Sequence, residues 1–210
     1  LPAGWRAGEI QWPAPEAVPY AMLVNYGYEG EVLFPVEVVA PVNARPGATV
    51  TLTAAAYWLV CSDVCIPEDA TLTLSVPVAA QGRDDPQWAA RVADAAANIP
   101  RRQDGVNATI AAGSPSRLSV SLPNAGSIRN VRFFPFERGV VKAAAPQHAR
   151  VGAGGASFSL TSDLRPLGEA PLAGLVVYEM QDLNGAWARR GVEISAELGE
   201  AIAGTDERAA

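Results

Sequence analysis

The sequence predicts an all-β protein with sandwich architecture, organised as two β domains joined by a short helix. Three observations carry this expectation. Apolar and polar residues alternate with a period of two through most of the chain, which marks strands with one face toward a core. Turn-rich spacers such as VGAGG and DLNG separate the alternating runs. A single segment, RDDPQWAARVADAAANIPRR (83–102), switches to helical spacing.

In chain order, GEIQWP (8–13) and EVLFPVEVV (31–39) read as strands. ATVTLTAAAYWLV (48–60) sets Val50, Leu52, Ala54, Ala56, Trp58 and Val60 against Thr49, Thr51, Thr53 and Tyr57, and ATLTLSVPV (70–78) repeats the pattern with Leu72, Leu74 and Val76. In the helical segment Asp85 is placed to cap, Pro86 suits a first helical position, and Pro100 stops the run of Trp88, Val92, Ala95 or Ala96, and Ile99. Beyond residue 116 the alternation returns in RLSVSL, NVRFFPF, ASFSL, LAGLVVYEM and RRGVEISAEL.

Composition narrows the function. The 210 residues are 49% hydrophobic and 18% charged, with 19 Gly and 17 Pro, which excludes a coiled coil and a charged disordered chain. A formal charge of −6 argues against a nucleic-acid partner. No apolar run approaches the roughly 20 residues of a membrane span. With no initiator Met and no signal peptide, the chain reads as a mature piece or an excised fragment.

The two cysteines, Cys61 and Cys65, stand in YWLVCSDVCIPED (57–69). Residues four apart in a continuous strand lie about 13 Å from each other, whereas a disulfide needs Cα atoms within about 7 Å. If the pair bonds, the chain must turn between them, and Ser62-Asp63 suits a turn, at a hairpin tip or one helical turn. Three readings compete. A structural disulfide closing five residues contributes about 2 kcal/mol on the chain-entropy model, across segments that a hairpin already holds together. A metal site is poor for zinc, since the only histidine, His148, lies in the other half, although Cys61 and Cys65 alone can hold Cu(I). The third reading is a redox-active dithiol: a pair at a turn tip is accessible and easily strained, which raises its reduction potential and makes it labile. Asp63, Glu68 and Asp69 surround the pair, while Arg45 and Arg83 are the nearest basic residues. Negative neighbours raise a thiol pKa, so this is a passive carrier rather than an activated thiolate. Pro67, lacking an N–H, is expected to interrupt strand pairing and leave Cys65 open, while Cys61 leans on apolar neighbours.

LVNYGYEGEVLFPVEV (23–38) followed by YWLVCSDVCIPEDATLTLSVPV (57–78) resembles the amino-terminal periplasmic region of the DsbD-like thiol:disulfide interchange reductases, and within them the copper-suppressor branch, ScsB. VRFFPFERGVVKAAAPQ (131–147) is similar to a segment of the same branch. The resemblance implies two tandem immunoglobulin-like β-sandwich domains joined by a helix-containing linker. Residues 1–82 would be the redox domain, expected to lack its first strands, 83–104 the linker, and 105–210 the second domain. It implies a periplasmic region of an inner-membrane protein whose transmembrane domain is absent from this chain, and no cofactor. Electrons would come from a thioredoxin-like donor domain of the same reductase and pass to a DsbC-like or ScsC-like acceptor. Cys61 and Cys65 match the redox pair, with Cys65 implied as the sulfur that links to the donor. Tyr26 falls in the loop that caps the cysteines, Asn25 stands where relatives carry a cap phenylalanine, and shielding would pass to Tyr26 and Tyr28.

Without the resemblance, Tyr26 and Tyr28 read as turn aromatics packing on a strand, and His148 as a loop residue. The second half holds no cysteine and is expected to be redox-inert, positioning the first domain or docking a partner.

Overall fold

A computed structural model describes every residue except Asn124, Asp182, Leu183, Glu207 and Ala210, so the first half of the expected DLNG turn lies outside the described residues. The described chain is all-β, with one α-helix. It groups into two compact units: residues 1–11 with 33–97, and residues 12–32 with 98–210.

The amino-terminal unit is built from paired strands. β1 (Arg6–Ile10) runs antiparallel to β4 (Val36–Val39), closed at one end by the Gln11 N–H donating to the Pro35 carbonyl at 2.9 Å. The expected strand 31–39 is thus realised only in its second half. β5 (Thr49–Cys61) and β6 (Cys65–Pro77) form a hairpin paired without a break over thirteen positions. Their alternation sorts Val50, Leu52, Ala54, Ala56 and Val60 onto one face with Val76, Leu74, Leu72, Ala70 and Ile66 opposite, as the sequence pattern requires. That face is not closed over: among the described residues none before Pro100 is fully buried, and Leu72 and Leu74 are 57% and 62% exposed. The helix, α1 (Ala89–Ala97), starts three residues after the expected Pro86, beyond a turn over residues 86–88 that Asp85 caps. Asp85 Oδ1 accepts from the Gln87 and Trp88 backbone N–H groups at 2.8 and 3.2 Å, and the Ala89 N–H bonds the Asp85 carbonyl at 2.8 Å.

The carboxy-terminal unit holds the core. β7 (Ala108–Ala111), β8 (Ser116–Ser121), β9 (Ile128–Pro135), β10 (Arg150–Gly152), β11 (Gly155–Leu160), β12 (Leu172–Gln181), β13 (Trp187–Leu198) and β14 (Arg208–Ala209) follow the order β14-β10-β11-β8-β7-β13-β12-β9. All neighbours are antiparallel except β13 and β7. Their inward positions supply one cluster that includes Ile110, Leu118, Phe133, Phe158, Leu160, Val176 and Val192. β9 is an edge strand. Gln147 closes its free side: its side-chain amide accepts from the Phe133 N–H at 2.8 Å and donates to the Phe133 carbonyl at 2.7 Å, as a neighbouring strand would.

This grouping crosses the boundaries expected at residues 82 and 104. The helix belongs with the amino-terminal unit, and residues 12–32 belong with the carboxy-terminal one. Those residues form a hairpin the sequence did not announce, β2 (Glu16–Tyr20) against β3 (Leu23–Gly27). Pro19 lowers the strand signal, and the two-residue turn places Ala21 at φ 50°, a position where glycine is the usual marker.

Candidate thiol-disulfide site

Cys61 and Cys65 are joined in a disulfide across the last pair of the β5–β6 hairpin, with Cα atoms 4.1 Å apart. The tip is the three-residue loop Ser62-Asp63-Val64, in which the Ser62 N–H donates to the Val64 carbonyl at 3.2 Å. Pro67 does not interrupt the pairing, contrary to expectation: it sits opposite Leu59 in continuous register. In an antiparallel pair, hydrogen-bonded and non-hydrogen-bonded positions alternate, and a residue without an N–H fits the second kind at no cost to the ladder. Leu59–Pro67 is therefore a non-hydrogen-bonded pair. Two residues on, Cys61–Cys65 is another, the kind that brings opposed Cα atoms closest. Pro67 thereby sets the register that lets the sulfurs meet.

The expected asymmetry between the two sulfurs has no counterpart in the fold. Cys61 does not lean on a core, because Leu59 and Val60 are themselves exposed, and both cysteines are exposed. Of the three carboxylates around the pair, Glu68 lies on the opposite hairpin face and accepts from the Trp58 indole N–H at 3.0 Å. Asp69 shares the face of the sulfurs. Among the described residues, no group of three or more His, Cys, Asp or Glu side chains is arranged to hold a metal ion.

Asn25 and Tyr26 lie on β3 and Tyr28 just beyond it, all within the carboxy-terminal unit. The Tyr26 ring meets the Phe134 ring edge-on, with centroids 4.9 Å apart. Burial raises the Tyr26 pKa, opposed by the charge of Arg132 and a hydrogen bond with it. Arg132 also donates to the Ala143 carbonyl at 3.0 Å. Tyr28, whose pKa burial also raises, donates its hydroxyl to the Pro13 carbonyl at 2.9 Å. Asn25 is exposed, opposite Val18. Arg189 pairs with Glu16 at 3.1 Å and donates to the Pro15 carbonyl, and a Cβ added at Gly191 would meet Pro100 Cγ at 2.7 Å and Ala14 Cβ at 3.4 Å. Sequence reasoning found the tyrosines but missed this anchorage by Phe134, Arg132 and Arg189. VRFFPF was visible as a strand, but nothing in it names a partner more than a hundred residues upstream. His148 borders a pocket of about 330 Å³ with the hydroxyls of Ser114, Ser159, Thr161 and Ser162.

Residues 1–77 match the family model for the thiol:disulfide interchange protein DsbD, N-terminal. Over most of its length the chain also shares its fold with a solved structure from the ScsB branch, the crystal structure of the N-terminal periplasmic domain of ScsB from Proteus mirabilis. The TM-score is 0.56 at 19% identity, covering 93% of this chain and 76% of that one. No curated protein matches the chain. Among the described residues, no helix is long and apolar enough to cross a membrane.

Proposed function

We propose that the chain is the extracytoplasmic exchange module of a membrane-embedded thiol reductase. The observation that carries this reading is an exposed disulfide at a hairpin tip, inside the segment that matches the DsbD model. A donor thiolate attacks Cys65, the Cys61–Cys65 bond breaks, and Cys61 leaves as a thiolate that takes up a proton. The donor's second thiolate then attacks the mixed disulfide and releases Cys65. The donor ends as a disulfide, and the module carries two electrons and two protons as a dithiol. It delivers them by the same two steps in reverse. In this reading the donor is a thioredoxin-like domain of the same reductase, the acceptor is DsbC-like or ScsC-like, and the setting is the periplasm. The choice of Cys65 rests on the resemblance alone, since both sulfurs are exposed. The NYGY hairpin, with Tyr26, Tyr28 and Asn25, shields the pair, and two immunoglobulin-like sandwiches carry hairpin and sulfurs.

A structural bond explains less. Closing five residues contributes about 2 kcal/mol, in a hairpin whose twelve further cross-strand pairs already bring its ends together. The test is the reduction potential against glutathione or dithiothreitol. A relay sits well above about −300 mV, and a value below that makes the bond structural. Cu(I) titration of the reduced protein, wild type against Cys61→Ser, checks the metal-holding alternative.

A further inference from the structure

We infer that the cross-strand pair Trp58–Glu68 is a positioning latch for the sulfurs: it keeps the hairpin tip closed in the dithiol and so lowers the reduction potential of the Cys61–Cys65 bond. The inference rests on the exchange reading above and deepens it, by naming residues that set how readily the module gives up its electrons. While the bond is oxidised, the tip is closed covalently. Once it is reduced, only non-covalent contacts keep Cys61 opposite Cys65. Burial supplies little of that hold, since Leu59, Val60 and Ile66 are 64%, 49% and 54% exposed. The ladder is thin there as well. Leu59–Pro67 and Cys61–Cys65 are non-hydrogen-bonded pairs, so between Trp58–Glu68 and the sulfurs only Val60–Ile66 lies at a hydrogen-bonded position. Trp58 and Glu68 oppose each other in the next hydrogen-bonded layer, three residues from each cysteine. The Trp58 indole N–H donates to Glu68 Oε2 at 3.0 Å, which joins the strands a second time through their side chains. Both lie on the face opposite the sulfurs, so they act through the strands rather than on the bond.

The effect on the potential follows from linkage. Oxidation joins the two Sγ atoms, removes two electrons and two protons, and proceeds only from the closed tip. A side-chain bond that favours the closed tip raises the effective concentration of one thiol at the other, and so favours the disulfide. The coupling is reciprocal: the disulfide fixes the strands and thereby favours the Trp58–Glu68 bond. A cross-strand polar pair of this kind shifts the balance about threefold, which is about 14 mV for a two-electron couple. The latch makes the dithiol the stronger reductant, the direction that an electron donor requires.

The experiment equilibrates the full chain with reduced and oxidised glutathione: two glutathione thiols convert the Cys61–Cys65 disulfide to the dithiol and leave as one glutathione disulfide. Glu68→Ala and Trp58→Phe are each expected to lower the equilibrium constant for forming the protein disulfide about threefold, and the double variant no further than either alone. Glu68→Gln keeps an acceptor for the indole without the charge, and stays within about 1.5-fold of wild type. Thr51→Ala, at the far end of the same hairpin, also leaves the constant unchanged. The reciprocal readout is the Trp58 indole N–H, assigned as the resonance missing from Trp58→Phe. Its exchange with water speeds up on reduction of the wild type, and not on reduction of Glu68→Ala. Unchanged potentials in both Glu68→Ala and Trp58→Phe overturn the inference, as do additive effects of the two. A shift in Glu68→Gln as large as in Glu68→Ala assigns the effect to charge, and an equal shift in Thr51→Ala assigns it to the whole hairpin; either result overturns the latch. A wild-type potential below about −300 mV sinks the exchange reading whatever the variants do, whereas identical potentials well above that value sink only the latch.

Discussion

Replacing Gln147 by Leu should cost the carboxy-terminal unit about 2–6 kcal/mol. Gln147 is buried, and its amide serves both the N–H and the carbonyl of Phe133, at 2.8 and 2.7 Å, on the free side of edge strand β9. Leucine keeps much of the volume but neither hydrogen bond. Each of the two Phe133 groups is then buried without a partner, at about 1–3 kcal/mol apiece. Gln147→Glu separates packing from hydrogen bonding. As a carboxylate it still accepts from the Phe133 N–H but faces the Phe133 carbonyl with no donor. As a carboxylic acid it restores both bonds. Burial and the opposed carbonyl raise its folded pKa above the unfolded value near 4.3. Its stabilisation is therefore complete below that value and is lost as pH rises through the folded pKa. Urea unfolding of wild type and both variants at pH 4.5 and 8, followed by far-ultraviolet circular dichroism, reads the difference. A Leu variant within about 0.5 kcal/mol of wild type, or a Glu variant whose deficit does not change with pH, would refute the assignment.

Two further outcomes bear on the proposed exchange. Tyr26→Ala should speed oxidation of the reduced Cys61–Cys65 pair by hydrogen peroxide severalfold, since access governs thiol chemistry as much as pKa does; unchanged rates in a folded variant return Tyr26 to its packing on Phe134. Cys61→Ser should trap a mixed disulfide with a thioredoxin-like donor through Cys65 more efficiently than Cys65→Ser does through Cys61. Equal yields would follow if exposure alone decided the matter, and would remove the preference for Cys65.

What the sequence revealed depended on range. The β5–β6 hairpin was legible because its signal is local: thirteen paired positions, a threonine comb against an apolar one, and cysteines that an unbroken strand would hold too far apart to bond. Pro67 was read correctly as lacking a donor, but the consequence was reversed. It occupies a position where no donor is needed, and so fixes the register of the disulfide instead of breaking it. The turn that Asp85 caps ahead of α1 was legible for the same local reason. The hairpin at 16–27 was not, because Ala21 takes a backbone conformation its side chain does not advertise. Neither was the attachment of Tyr26, because Phe134 and Arg132 reach it only through the folded sheet. The apolar comb of β5 and β6 showed which face is apolar, but not that Leu72 and Leu74 would remain exposed.

The placement of residues 12–32 imposes an order on folding. The Arg189 guanidinium that grips the Pro15 carbonyl lies 174 residues further along the chain. At synthesis rates of about 5–20 residues per second, the hairpin is exposed some 10–35 s before that residue exists. Closing so long a loop costs about 4–5 kcal/mol in chain entropy, and no local contact offsets it in advance. Long-range closures of this kind form late. In pulsed hydrogen exchange during refolding, the amides of β2 and β3 should gain protection after those of β8, β11, β12 and β13. The segment written near the start of the chain would then be among the last parts of the molecule to be finished.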